Sequence, residues 1–80
     1  MSKYEFVRKN LELSADFNSY LLANPSIVSD IPGNACIVFG TKEDKDFSKR
    51  NIDIARKTKK KCFIATKVKG KWNISAFSNL

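Results

Sequence analysis

Apolar residues recur along this chain with two different periods. From Tyr4 to Leu22 they fall at spacings of three and four, which predicts an amphipathic helix. Phe6, Asn10, Leu13, Phe17, Tyr20 and Leu21 share one face; Tyr4, Val7, Leu11 and Leu22 form a flanking one. The apolar sector is wide, so cover on more than one side is expected. Ser2 followed by Glu5 reads as a capping box, which places the helix start near Lys3. The helix should end before Asn24-Pro25, because a residue preceding proline avoids helical angles. Asn24 is then expected to cap a short turn over residues 25–30, with Pro25 at its first position. That turn would add Ile27 and Val28 to the core.

Ile31-Pro32-Gly33-Asn34 suits a type II turn, with proline second and glycine third. Residues 35–39 form a short, continuously apolar run. Such a run predicts a strand buried on both faces or by self-association. A polar loop over residues 40–46 leads into a second helix running to about Lys59. Thr41 with Asp44, or Asp46, can cap its start. Phe47, Ile54, Ala55 and Thr58 are expected to point inward. Acids at its start and bases at its end complement the helix dipole.

Cys62–Val68 and Trp72–Phe77 have strand character, and Gly70 between two lysines marks a hairpin. With Lys69-Gly70 as the loop, Val68 faces Lys71 and Lys67 faces Trp72. One face of this ribbon then carries Phe63, Ala65, Lys67, Trp72, Ile74 and Ala76. It is the more apolar and is expected to lie under the helices. The other, with Cys62, Ile64, Thr66 and Phe77, is expected to be partly open. A strand–helix–strand unit in one sheet pairs its strands in parallel. The expected fold is therefore α/β, at the α+β border. It has a long N-terminal helix, a helical turn, then βαββ with a three-stranded mixed sheet in the order 1-2-3. An apolar first strand at an edge needs cover, either from the N-terminal segment or from a second copy.

Eighty residues make a single domain, 1–80, with a modest core that a partner subunit would help to stabilise. The longest apolar run is too short to span a bilayer. The charged N-terminus has no apolar signal core. The expectation is a cytoplasmic protein with no membrane association. Cys36 and Cys62 read as small core residues; a disulfide is open to them if their strands pair. With no histidine, a zinc site lacks its ligands, and no cofactor or small-molecule substrate is expected.

Several stretches together resemble a known family. They are RKNLELS at residues 8–14, then Phe17, Tyr20-Leu21-Leu22 and Asn24-Pro25. Ile31-Pro32, Asn34-Ala35, Ile37-Val38-Phe39, and the helix residues Phe47, Asn51 and Ala55 follow. The pattern is similar to that of a family of short bacterial and archaeal proteins known only as a domain of unknown function. The likeness covers roughly residues 8–55. It implies a soluble, small α/β domain, and it carries no activity or site residue. The lysine run and the Trp72 strand are the least family-like part.

The formal net charge is +7, and residues 47–80 carry ten basic groups against one acidic. This asymmetry favours an acidic partner. Arg56, Lys57, Lys59, Lys60, Lys61, Lys69 and Lys71 are the candidate polyanion-binding residues, with Phe77 a candidate for stacking on a base. The same lysines can equally cap a helix and confer solubility. Asn10 and Asn51 lie within apolar helix faces. Each must satisfy a neighbouring backbone group or form a polar contact that fixes a helix pairing. Glu43, Asp44 and Asp46 follow a strand but have no nucleophile nearby, so capping is their expected role. No catalytic constellation is present. The expected function is a non-enzymatic interaction module that binds a protein partner or forms a homodimer. The alternative is a basic nucleic-acid-binding accessory protein.

Overall fold

The structure, a computed structural model, describes residues 1–58 and 60–77, the Phe77 side chain excepted. Its elements are α1 (Lys3–Ala23), α2 (Pro25–Val28), β1 (Cys36–Thr41), α3 (Lys45–Lys57), β2 (Cys62–Val68) and β3 (Lys71–Phe77). They form two compact units, Met1–Gly33 and Asn34–Leu80.

In the first unit Ser2 caps α1 as the sequence implies, though only its half of the capping box forms. Ser2 Oγ accepts the Glu5 amide at 3.1 Å and lies 3.1 Å from the Glu5 carboxylate. Phe6 and Phe17 are the buried side chains of α1. Asn24 acts backward rather than forward: its side-chain amide donates to the Tyr20 carbonyl at 2.9 Å, closing α1, and it makes no side-chain cap for α2. A helix C-terminus has carbonyls to satisfy, and this amide reaches one of them. The short α2 buries no residue, and Val28 is 50% exposed, so Val28 does not join the core. Gly33 does not take the left-handed φ that a type II turn requires.

The second unit is a three-stranded sheet in the order β1-β2-β3. β1 and β2 are parallel, with Cys36 beside Cys62 and Phe39 beside Ala65. β2 and β3 are antiparallel, with Val68 beside Lys71 and Lys67 beside Trp72. Lys69 and Gly70 both take positive φ, 51° and 78°, the backbone that a two-residue primed turn needs to match strand twist. This is the expected fold and hairpin register.

Strand β1 begins one residue after its apolar run does and extends two residues beyond it, because Gly40 and Thr41 pair with Thr66 and Lys67. Asp44 caps α3, its Oδ1 accepting the Phe47 amide at 3.0 Å, while Thr41 Oγ1 accepts the Asp44 amide at 3.2 Å.

Two expectations about packing fail. Helix α3 lies on the less apolar face of the sheet. Val38, Ala55 and Cys62 form a buried cluster there, with Cys36 and Ile64 packed against it. Val38, Ala55 and Cys62 are small, which lets the helix come close. A Cβ on Gly40 would stand 3.2 Å from Ser48 Oγ. The opposite face carries the bulky Phe39, Phe63, Trp72 and Ile74, with Ala65 among them fully buried. The inward line of α3 is Phe47, Asn51 and Ala55; Ile54 is 52% exposed.

Hydrogen bonding at the β1 edge explains this rotation of the helix. The Cys36 amide donates to the carbonyl of Lys61, just before β2, at 2.9 Å. Backbone groups alternate sides along a strand, so Cys36, Val38 and Gly40 address β2, and Ile37, Phe39 and Thr41 address the sheet edge. Asn51 Nδ2 donates to the Phe39 carbonyl at 2.8 Å. Ser48 Oγ accepts the Thr41 amide at 2.9 Å and lies 3.0 Å from the Thr41 carbonyl. Side chains of α3 therefore serve these outward groups of the edge.

Replacing Asn51 by Ala removes the donor to Phe39 and leaves its carbonyl short of a bond. An unsatisfied buried acceptor costs about 1–3 kcal/mol. The unfolding free energy of Asn51→Ala, measured in urea, should fall by that amount, whereas Ile54→Lys should change it by less than about 0.5 kcal/mol.

Candidate functional site

The candidate polyanion residues divide into two groups. Arg56 and Lys57 end α3, and Lys60 and Lys61 stand in the connector just before β2. Lys69 and Lys71 lie beyond the other end of β2. Seven strand residues separate the groups by about 20 Å. They do not form one continuous surface around that strand. Lys59 and the Phe77 side chain lie outside the described residues.

Each group has its own local chemistry. Lys61 Nζ sits 5.8 Å from the centre of the Phe63 ring, and Lys67 Nζ 5.9 Å from that of Trp72, distances at which an ammonium is attracted to a ring face. Trp72 also meets Phe39 edge-on, at 6.0 Å between ring centres. Its indole is a packing element, as its position on the apolar face implies. Lys69, Lys71, Trp72 and Asn73 line a shallow hollow of about 420 Å³ beside the hairpin.

A second hollow, of about 380 Å³, lies against α3. Lys42, Lys45, Lys49, Ile52, Asp53 and Arg56 line it. Of these, only Arg56 belongs to the set chosen from sequence. The signal that could have found the others is their spacing: residues 45, 49, 52 and 56 share a helical stripe.

Asn10 and Asn51 both donate to backbone. Asn10 Nδ2 reaches the Phe6 carbonyl of its own helix at 3.3 Å, and Asn51 ties helix to strand. Glu43 and Asp46 are exposed, and Asp44 caps α3. Among the described residues no group of three or more His, Cys, Asp or Glu side chains is placed to hold a metal ion. No described helix is long and apolar enough to cross a membrane.

Cys36 and Cys62 are free thiols on adjacent strands. Cys62 is fully buried, its Sγ 3.5 Å from the Lys60 carbonyl. Burial pushes its pKa up from 9.0 to about 11; a hydrogen bond and charge from Cys36 add to this, and Lys60 opposes it. A thiolate is the reactive form of cysteine, so this environment makes Cys62 a packing residue rather than a nucleophile.

The model of a family of unknown function, DUF5647, matches residues 5–67. The chain belongs to that family. The matched segment runs from α1 into the last residues of β2. It is longer than the resemblance read over 8–55, and it takes in the lysine run, which is therefore part of the DUF5647 segment. The hairpin lysines Lys69 and Lys71, with Trp72, lie beyond it. No curated protein and no solved structure matches the chain.

The raised Cys62 pKa has a consequence for stability. In the unfolded chain the thiol ionises from about pH 9; in the fold it holds its proton to about pH 11. The unfolded state therefore loses its proton first, and this contribution to stability, intact below pH 9, falls as pH rises to 11. Urea midpoints measured across that range should drop more steeply for the natural chain than for Cys62→Ala.

Proposed function

We propose that this chain is a non-enzymatic interaction module that self-associates through the exposed apolar face of α1. The observation that carries the reading is the exposure of large apolar side chains on that helix. Tyr4 is 72% exposed, Val7 48%, Leu11 66% and Leu22 85%. Tyr4, Val7 and Leu11 follow one another at three and four residues, the spacing of a single helical stripe that another helix can cover. Phe6 and Phe17, by contrast, are buried, so α1 is apolar on two sides. An isolated surface leucine is ordinary; a stripe of apolar side chains on one helix marks a contact surface.

The small core supports the same reading. Seven apolar residues among those described are buried, few for a chain of 80. Small domains gain relatively little from burial, and association supplements it. A second copy brings the same α1 face, so a symmetric contact requires no other partner. A protein partner presenting an apolar helix face is the variant of this reading. The grip on a polyanion by the C-terminal lysines has weaker support, because those lysines stand at two ends of β2.

Sedimentation velocity across a concentration series tests the proposal. The natural chain should form a dimer, and Leu11→Glu should sediment as a monomer with unchanged helical circular dichroism. Ile54→Lys, on α3, should dimerise normally. A natural chain that stays monomeric at its highest soluble concentration would refute self-association.

A further inference from the structure

Helix α3 carries cations at its start that its own stability does not call for. Lys45 is its first residue, and Lys42 precedes it by three. Cations at a helix N-terminus oppose the dipole. Asp44 and Asp46 answer the dipole there; the two lysines do not. Lys49 and Arg56 continue along the side of the helix that begins with Lys45, and all four cations border the 380 Å³ hollow. Asp53 is the one acid on its wall. Among the described residues, none of these four cations has an ion-pair partner within 4.0 Å. Like charges gathered around one opening repel. Local rules broken together in this way are the usual mark of a functional surface.

The shape of the row narrows the class of ligand. Lys45 and Arg56 are eleven residues apart, about 16 Å along the helix axis. One phosphate or one carboxylate cannot bridge that length. A strand with anionic groups at regular intervals can. Lysine serves phosphate as a point charge and needs no forked geometry. Between the cations, Ile52 and the lysine stems give the hollow an apolar floor, a surface on which sugars and bases can rest while the ammonium groups reach outward. We infer that this side of α3 binds the phosphodiester backbone of a nucleic-acid strand, through Lys42, Lys45, Lys49 and Arg56. The contact reads charge, not base identity. All four residues lie within the segment that the family model matches. The site does not depend on the α1 contact, so failure of one leaves the other standing.

Fluorescence anisotropy with labelled oligonucleotides, one single-stranded RNA and one DNA duplex of equal length, tests it over a salt series. The natural chain should bind at low salt and release as salt rises. Lys45→Glu with Lys49→Glu should weaken binding at least tenfold. The milder Lys45→Gln with Lys49→Gln should flatten the single-strand salt slope by about 1.4, or about 0.7 per lost contact. Lys60→Glu with Lys61→Glu, equal in charge change but placed before β2, should cost less than threefold. Comparison of the two probes tells whether a strand or a duplex supplies the backbone. Equal losses in both charge-reversed pairs, a flat salt dependence, or equal displacement by polyglutamate at matched charge would each overturn the assignment. Repeating the titration with Leu11→Glu separates the result from self-association.

Discussion

The second unit depends on how the outer edge of β1 is satisfied. A parallel edge strand presents alternate amides and carbonyls with no neighbouring strand to take them. Here Asn51 takes the Phe39 carbonyl, and Ser48 takes the Thr41 amide. Both donors and acceptors come from the helix that follows the strand. That requirement fixes the rotation of α3 about its axis. It turns Phe47, Asn51 and Ala55 inward together and leaves Ile54 outside. It also brings the helix close enough that residue 40 has little room for a side chain. The buried amide is thus structural: it binds helix to strand and closes part of an edge open to another chain.

The same rotation decides what the surface offers. With the 47–51–55 line inward, Lys45, Lys49 and Arg56 border an open hollow rather than the sheet. Connectivity does the rest. In a strand–helix–strand unit the helix begins at the C-terminal ends of the parallel strands and finishes at their N-terminal ends. Lys42 and Lys45 therefore share one end of the sheet with the hairpin, and Lys57, Lys60 and Lys61 gather at the other. A basic run that looks continuous in one dimension becomes two clusters about a strand length apart. The cations that do converge are interspersed with acids in the sequence, and only the helical repeat brings them into one row.

The family match and the packing meet at the same boundary. Residues 5–67 take in both helices that carry the proposed contacts and the strand pair beneath α3. The hairpin and β3 complete the sheet from outside that segment. Trp72 is held there in ring contacts with Phe39 and Lys67, which is consistent with β3 serving as a covering strand.

The sequence by itself determined what depends on neighbours a few residues apart. The Ser2 cap, the Asp44 cap, the stop at Asn24-Pro25 and the Lys69-Gly70 turn are local hydrogen-bond and φ requirements, and each can be read from adjacent residues. The order and direction of the strands followed from the length of the connection between them. Tertiary structure decided which sheet face received α3. A period of two sorts residues into faces but does not say which face a helix will cover; here close approach over Gly40, Val38 and Cys62 accompanied the choice of the face with small side chains. It also decided the role of Asn51. An amide amid apolar residues announces a partner, but that partner, the Phe39 carbonyl, lies twelve residues back along the chain, and only the packed helix brings the two together.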